Sequence, residues 1–358
     1  MIMKKKLMIM VLAILMMVVV AACNSNGDTE TSQNNEGQET NNEQSNEANN
    51  SDSNAGAELE FPTQEIRVIV PYDPGGTSDS TARVVSDIIR KEELLPENVN
   101  VVNLPGANTR NGLEEVLNAD PDGHTLLLHH STLNAMNAVG QIDISYEDYE
   151  LISQVSHTPS VLVGNADSEF QTFDEYLEEA ESNPGSISVG ITNIGSTTHL
   201  AYEAMMDAAG NPDAFKVVPF QSGADLVTAH LGGQVDLRMA STPDSIQYVE
   251  SGDAVALVSS SYEKHFHPSL QDAVSFSELG VDTGVSVRFG FYAPPGTPEE
   301  VINYLDEVLA KVVENEEFQQ FADDNGAEPE YLNSEEFIAE NESVQNIFNT
   351  LAENIDIE

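Results

Sequence analysis

Loops rich in glycine and hydroxyl side chains are the parts of this chain whose residue types could bind a ligand. The first follows an apolar run at 66–70 and contains Gly75, Gly76, Thr77 and Ser78. Glycine lets the backbone turn sharply and approach a ligand closely, and a helix that begins after it presents unpaired N–H groups to an anion. A carboxylate or phosphate could bind here without any lysine. An ordinary strand–helix turn would also need glycine, and the spacing matches neither a P-loop nor GxGxxG.

Comparable loops follow other apolar runs of the chain. They contain Gly106 and Ala107, then Gly195, Ser196 and Thr197, and then Phe220, Gln221, Ser222 and Gly223. In open α/β sheets, ligands bind at the carboxyl ends of the strands. Two such sheets that face each other would form a cleft whose walls are helix N-termini, and this cleft would suit a small carboxylate.

The elements that must position these loops alternate along the chain. Strands are predicted for short runs of apolar residues, at 66–70, 99–103, 125–128, 187–191 and 288–293. Amphipathic stretches between them predict helices, so the fold class is α/β with largely parallel sheets. Residues 151–155 and 161–163 are expected to form two separate short strands. Thr297 and Glu300 are expected to form a capping box at the start of a helix.

Residues that could catalyse a reaction are few. His129 and His130 are adjacent, so they should point to opposite faces of a strand, and we interpret them as polar residues at a loop edge rather than as metal ligands. Ser78 and Ser196 lie in glycine-containing loops, but no sequence feature assigns them a base. The sequence has no GxSxG motif, and Cys23 is its only cysteine. We therefore predict neither an enzyme nor a metal site.

The charge of the chain disfavours two kinds of partner. Its 358 residues include 61 acidic and 13 basic ones, which gives a formal net charge of −48. The chain could not neutralise the phosphates of a nucleic acid, and docking by charge on an anionic membrane is disfavoured. Salt should relieve the self-repulsion, so we expect stability to rise with ionic strength. The length is that of one large or two medium domains.

The N-terminal residues have the pattern of an exported protein. Residues 1–22 read as a secretory signal peptide, with a basic start and an apolar run at 7–20 that is too short for a comfortable membrane span. The sequence VAAC at 20–23 resembles the bacterial lipobox, in which the cysteine, here Cys23, is lipidated. A plain signal peptide with a chance cysteine is the alternative. Residues 23–58 are polar and acidic, which predicts a disordered tether.

Six short motifs occur in an order that resembles one known family. They are VPYDPGG from residue 70 with Asp79 and Arg83, VNLPGA from 102, PDGHTLL from 121, GSTTHL from 195, PF at 219 with Gly223, Gly232 and VD at 235, and APPGTP from 293. Each motif is weak singly, but together they cover almost all of residues 61–358. The chain thereby resembles the extracytoplasmic solute-binding proteins of tripartite tricarboxylate transporters, the Bug (TctC-like) family.

The resemblance implies a two-lobed type II periplasmic-binding-protein fold that closes on its ligand about a hinge. Lobe 1 would comprise residues 59–159 and 288–358, and lobe 2 residues 160–287. Members of the family bind tricarboxylates, dicarboxylates, acidic amino acids or aromatic acids, without a metal or organic cofactor, and hand them to membrane permease subunits. We expect a monomeric receptor, lipid-anchored on the extracytoplasmic face of the cell membrane.

The resemblance also implies which residues bind the ligand. Two opposing walls would hold the carboxylate, and neighbouring hydroxyl groups would set specificity. The implied set is Tyr72, Gly75, Gly76, Thr77, Ser78, Asp79, Gly106, Ala107, Ser131, Thr132, Gly195, Ser196, Thr197, His199, Phe220, Gln221, Ser241 and Thr242. Within it, we expect Asp79 to cap its helix and His199 to brace its loop rather than to touch the ligand.

The sequence departs from the family pattern at two positions. Tyr72 replaces the commoner Phe, and Arg288 stands where an aromatic residue, often Trp, precedes the final strand. Arg238 and Arg288 could clamp a second carboxylate. The interpretation that we favour is that both are solvent-facing arginines paired with the abundant acidic residues.

Other functions stay open at this point. A cell-surface sensor that feeds a signalling kinase would have the same fold. A hydrolase would show turnover of esters or acids, and a purely structural surface lipoprotein would show no ligand-dependent stabilisation.

Overall fold

A computed structural model describes residues 59–220 and 222–353. The predicted signal peptide, the tether, Cys23 and Gln221 lie outside these residues. The strands of the described residues belong to one mixed sheet. They are β1 (Ile66–Val70), β2 (Val99–Asn103), β3 (Thr125–His130), β4 (Glu150–Asn165), β5 (Ser188–Thr192), β6 (Lys216–Phe220), β7 (Leu237–Ser241), β8 (Ala254–Ser259), β9 (Ser286–Ala293) and β10 (Glu328–Leu332).

Helices connect most of these strands. They are α1 (Thr77–Lys91), α2 (Arg110–Leu117), α3 (Thr132–Ala138), α4 (Phe173–Ser182), α5 (Thr197–Ala208), α6 (Gly223–Leu231), α7 (Ile246–Glu250), α8 (Phe276–Leu279), α9 (Glu299–Glu314), α10 (Glu316–Asp324) and α11 (Ser334–Ala352). In α1, Ala82, Val85, Ile88 and Ile89 recur at helical spacing and are buried against the sheet. Over residues 59–220 and 222–353, no helix is both long and apolar enough to cross a membrane.

The sheet runs in the order β2-β1-β3-β9-β4-β7-β5-β6, with β8 and β10 also paired to β4. β1 is parallel to β2 and β3, and β5 is parallel to β6 and β7. β9 is antiparallel to β3 and β4, and β4 is antiparallel to β7. The predicted α/β class is confirmed, with parallel strands on either side of an antiparallel centre.

β4 is one continuous strand, so the prediction of two short strands was wrong. Pro159 is the last residue of β4 that pairs with β9, and Ser160 is the first that pairs with β7. A proline cannot donate to a ladder, and here it lies where the strand changes partners. β9 and β10 pair with β4 up to Pro159, and β1, β2 and β3 follow β9 in the sheet; we call these five strands the first half of the sheet. β7 and β8 pair with β4 beyond Pro159, and β5 and β6 follow β7; we call these four strands the second half.

Each half of the sheet buries its own apolar cluster. In the first half, side chains of β1, α1 and α9 pack together, including Val68, Ile88 and Leu305. In the second half, β5, α5 and β7 form a cluster that also contains Phe348 of α11. Phe337, near the start of α11, packs with β3 and β9 instead. α11 therefore contacts both halves of the sheet.

Two local predictions need correction. Thr297 does not form a capping box, because its hydroxyl donates to Pro294 O (2.8 Å) and Pro298 is the N-cap of α9 without a side-chain bond. The sequence reading also missed α10 and β10. β10 contains Pro329 and pairs only with β4, so its strand character comes from that partner rather than from a local apolar pattern.

Candidate ligand-binding site

Loops from both halves of the sheet border one small cavity. The parallel strands β1, β2 and β3 end at the same edge, which brings the loops that follow them together. The cavity has a volume of about 290 Å³. Its lining residues come from these three strand ends and from the β5–α5 loop; they are Pro71, Tyr72, Asp73, Pro105, Gly106, Asn108, Thr109, Thr132, Met136 and Asn193.

The β1–α1 loop ends in an open helix start. Gly75 has a left-handed φ of +89°, and Gly76 is the N-cap of α1 without a side-chain bond. Among the described residues, no group accepts a hydrogen bond from the N–H of Thr77 or Ser78. The N–H of Gly75 is different, since it donates to Asp79 Oδ2 (2.9 Å). The helix start can therefore receive an anion, but not through Gly75.

Asp79 does not cap α1 as we expected, because α1 has no side-chain cap and Asp79 Oδ2 instead accepts from Gly75 in the loop before the helix. Its Oδ2 also accepts from Arg83 Nε (2.9 Å), and its other oxygen lies 2.8 Å from Arg83 Nη2. Burial alone would raise the pKa of Asp79. The hydrogen bonds from Arg83, Gly75 and Asn103 outweigh the burial and hold that pKa below its ordinary value. The ionised side chain is held between the loop and Arg83 of α1.

The β5–α5 loop repeats this arrangement. Gly195 has a φ of +84°, and its N–H donates to His199 Nδ1 (3.0 Å). Ser196 is the N-cap of α5, and its hydroxyl accepts from the N–H of His199 (3.3 Å). The other ring nitrogen of His199 lies 3.1 Å from Glu203 Oε1. These contacts fit the bracing role that we expected for His199.

Three buried hydroxyl groups join the two sets of loops. Thr197 Oγ1 lies 3.2 Å from Ser131 Oγ and 3.3 Å from Thr132 Oγ1. Ser131 also donates to Ser286 O (3.0 Å) and accepts from the N–H of Arg288 (3.2 Å). The predicted residues Ser131, Thr132 and Thr197 are thus brought together. Only Thr132 of the three lines the cavity.

The side chains of His129 and His130, at the end of β3, lie together, so the prediction that they point to opposite faces of a strand was wrong. His129 Nε2 is 3.3 Å from the Tyr72 hydroxyl, and the ring of His130 stacks on Tyr72 with centroids 5.0 Å apart. Burial lowers the pKa of His129 to about 4, so the His129 ring is neutral. Burial also raises the pKa of Tyr72. Both rings fix the tyrosine that lines the cavity. Within the described ranges, no cluster of His, Cys, Asp or Glu could hold a metal ion.

The β2–α2 loop has an unusual backbone. Ala107, Asn108 and Thr109 follow Gly106 and have φ values of 48°, 54° and 70°. Non-glycine residues rarely adopt this left-handed region, and such strain often lies at functional sites. The loop is stabilised by Asn111, whose side chain donates to Pro105 O (2.9 Å). Gly106 lines the cavity, whereas Ala107 does not.

The other predicted residues do not line the cavity, and these include Gly75, Gly76, Thr77 and Ser78 at the start of α1. Phe220 contributes only its carbonyl, which accepts from the N–H of Asn193 (3.2 Å). Ser241 donates to Asp244 Oδ2 (2.9 Å). Thr242 donates to Pro159 O (2.8 Å) where β4 changes partners, and it contacts His265. Gln221 lies outside the described residues.

The two arginines behave differently from each other. Arg288 pairs with Glu330 (3.0 Å) and Glu340 (2.8 Å), which agrees with the acid-paired interpretation. Arg238 is fully buried, so the solvent-facing interpretation was wrong for it. Its Nη1 donates to Asp244 O (3.0 Å), and its guanidinium lies 5.1 Å from the centre of the Tyr248 ring. Neither arginine lines the cavity.

Sequence reasoning missed several residues of the site. Asn108, Thr109, Met136 and Asn193 all line the cavity. Asn193 has a φ of 51°, and asparagine is among the few residues that adopt this conformation readily. An asparagine directly before Ile194 and Gly195 was therefore the one available signal of a tight turn.

The mixed α/β sheet matches solved structures of periplasmic solute-binding proteins. A crystal structure of a TctC solute-binding protein from Polaromonas is 27% identical, covers 82% of this chain and all of its own, and superimposes with a TM-score of 0.68. MatC from Rhodopseudomonas palustris is 20% identical with a TM-score of 0.70, covers 82% of this chain and 100% of its own, and shares the fold.

The sequence profile of the tripartite tricarboxylate transporter family receptors, TctC, matches residues 81–350. The chain belongs to this family. Protein BugT of Bordetella pertussis is 30% identical over 278 residues, which are 75% of this chain and 82% of BugT. The family consists of extracytoplasmic solute-binding receptors and not of enzymes. The predicted family is confirmed.

Proposed function

We propose that this protein captures a small carboxylate and delivers it to the membrane subunits of a tripartite transporter. The observation that carries the proposal is the cavity of about 290 Å³, whose lining residues Tyr72 and Asp73 belong to the loop that leads into the uncapped start of α1. Unpaired N–H groups at a helix start attract a carboxylate through the helix dipole. Tyr72 and Thr132 supply neutral polar surface around the rest of the ligand.

The charge distribution among the cavities favours this one. Asp73 is the single charged residue among the described residues that line it. Four further cavities each have at least three acidic residues in their lining, although one of them also contains Lys264 and Arg288. One of these cavities, of about 850 Å³, is lined by Glu150, Glu299, Asp306 and Glu335. In a chain of net charge −48, a carboxylate is repelled least where acidic side chains are fewest.

Ligands of proteins with the same fold are compatible with the proposal. MatC was solved with bound malate. Another protein of R. palustris, 21% identical to this chain with a TM-score of 0.73, was solved with adipate. Both ligands are dicarboxylates. We therefore put dicarboxylates first among the candidates, before tricarboxylates, acidic amino acids and aromatic acids.

In this proposal a lipid on Cys23 anchors the receptor, and residues 23–58 tether it to the membrane. The support is the signal-peptide pattern of residues 1–22 with the only cysteine at the lipidation position. Cys23→Ser should abolish incorporation of labelled palmitate and release the protein from membranes. Retention of both in the variant would contradict the anchor.

The proposal also includes closure of two lobes, with lobe 1 formed by 59–159 and 288–358 and lobe 2 by 160–287. It is supported by the change of strand partners at Pro159 and Ser160 in β4. Small-angle scattering of the protein saturated with ligand should show a smaller radius of gyration than that of the free protein. An unchanged radius would contradict closure.

A thermal-shift screen of the full chain, in mild detergent and high salt, tests the binding function. The panel contains malate, adipate, citrate, aspartate, glutamate and nicotinate. A ligand at about 100 times its Kd adds about 2.7 kcal/mol, which raises Tm by several degrees. Stabilisation by a carboxylate is the expected result. Stabilisation only by neutral or cationic compounds would mean that the helix-start argument is wrong.

A further inference from the structure

Gln141 connects two of the cavity loops although it does not line the cavity itself. It follows α3, and its Nε2 donates to the carbonyl of Ile194 in the β5–α5 loop (2.7 Å). Its Oε1 accepts from Asn108 Nδ2 in the β2–α2 loop (3.2 Å). Asn108 and Asn193, the neighbour of Ile194, both line the cavity. A chain of hydrogen bonds thus runs from the first half of the sheet to the second beside the cavity.

The chemistry of the groups determines which atom donates in each of these two hydrogen bonds. The Ile194 carbonyl can only accept, so Gln141 must present its nitrogen to it. The oxygen of Gln141 then faces Asn108, which must in turn present its own nitrogen. A carboxylate at position 141 could not donate to Ile194. Two oxygens would face each other at this contact.

The β5–α5 loop is shaped to receive Gln141. Gly195 has a φ of +84°, and a Cβ atom built on it would lie 2.7 Å from Gln141 Nε2 and 2.9 Å from Val139 Cγ2. Glycine therefore allows the segment after α3 to pack directly on the loop backbone. The backbone of Gln141 is itself held, since its N–H donates to Met136 O (2.9 Å).

We propose that Gln141 is a latch that holds the β5–α5 loop against the first half of the sheet and so slows the escape of a bound ligand. It is a positioning residue, because it acts through the loops and not by touching the ligand. The effect on ligand release rests on the proposed function, whereas the effect on the loop does not. Loss of the latch should raise the dissociation rate, and because an unlatched loop also admits a ligand more easily, the association rate should not fall.

Hydrogen exchange of the unliganded full chain tests the latch directly. The amides of Gly195 and Ser196 donate to His199 Nδ1 and Asn193 O, so their exchange reports opening of the loop. Gln141→Ala should raise exchange in residues 193–198 by about threefold to tenfold, the range for one lost hydrogen bond. Gln141→Glu should raise it further. Equal exchange in wild type and Gln141→Ala would overturn the latch.

Gln247→Ala is the matched control, because Gln247 is an exposed helical glutamine on α7. It should leave exchange in residues 193–198 unchanged. Should it raise exchange there as much as Gln141→Ala, the specific role of Gln141 would be excluded.

Stopped-flow release of malate and of adipate tests the consequence for binding. Gln141→Ala should release either acid about threefold to tenfold faster, and association should not become slower. Faster loop exchange without faster release would overturn the role in ligand retention. A wild-type protein that binds no acid of the panel would contradict the proposed function, while the exchange experiment would still decide whether Gln141 holds the loop.

Discussion

The helix starts after β1 and after β5 are built on the same local plan. Each has a left-handed glycine, Gly75 or Gly195, two residues before the helix. In each, the third helical residue accepts the glycine N–H, at 2.9 Å for Asp79 and 3.0 Å for His199. The same backbone turn therefore closes both loops. The identity of the accepting side chain is what distinguishes them.

The two starts differ in charge and in capping. α1 has no side-chain cap and carries the buried carboxylate of Asp79, which Arg83 balances. α5 is capped by Ser196, and its accepting residue His199 contacts Glu203. The start of α1 leaves more N–H groups open to a ligand, because at the start of α5 the N–H of His199 already donates to the Ser196 hydroxyl. We infer that the start of α1 attracts an anion more strongly than the start of α5.

The surroundings of the two glycines differ even more. A Cβ atom on Gly75 would meet nothing within 4 Å, whereas one on Gly195 would overlap Gln141 and Val139. The first loop is therefore determined by its own hydrogen bonds. The second depends on packing against a distant part of the chain.

Alanine at the two glycines should separate these cases most clearly. Gly195→Ala combines a left-handed alanine with overpacking and should cost about 2–4 kcal/mol of unfolding free energy. Gly75→Ala carries only the backbone strain and should cost about 1–2 kcal/mol. Urea unfolding at fixed salt measures both. Equal losses would show that the packing of Gly195 against Gln141 contributes nothing.

The acceptor at His199 gives the next largest effect. His199→Leu leaves the buried N–H of Gly195 without a partner and should cost about 1–3 kcal/mol. His199→Asn supplies an oxygen near the position of Nδ1 and should recover much of the loss. Thermal unfolding of the two variants gives the comparison. The bracing role is wrong if asparagine is no better than leucine.

Local sequence was sufficient for the parts of the fold that depend on local chemistry. The apolar runs that became β1 (Ile66–Val70) and β2 (Val99–Asn103) were predicted with the bounds that the structure has. The helix that was expected after the glycine turn does begin directly after Gly76, at Thr77. β-branched runs and glycine turns act over a few residues, so their pattern can be read without the partners.

Features set by distant contacts could not be predicted in this way. β4 continues through Pro159 because β9 and β7 pair on either side of it. Arg238 is buried where Asp244 and Tyr248, which follow its strand, contact its guanidinium, although arginine is usually a surface residue. Asn108 lines the cavity in a left-handed stretch that also includes Ala107 and Thr109, and neither alanine nor threonine gives a sequence signal for this conformation.

The charge of Asp79 gives the smallest of these effects and a defined pH dependence. Asp79→Asn keeps an acceptor for the N–H of Gly75 but loses the ion pair with Arg83. Because the Arg83 side chain is half exposed, we expect a cost of only about 1 kcal/mol at neutral pH.

The folded-state pKa of Asp79 is below its ordinary value, so the stabilisation is fully present above the unfolded pKa of about 3.9. It is lost as the pH falls through the folded pKa. Unfolding of wild type and Asp79→Asn should therefore differ at pH 7 and converge in acid. Taking the difference between the two proteins cancels the titration of the other carboxylates. A difference that stays constant with pH would mean that the carboxylate of Asp79 does not stabilise the first loop through its charge, and the electrostatic contrast between the two helix starts would then rest on their caps alone.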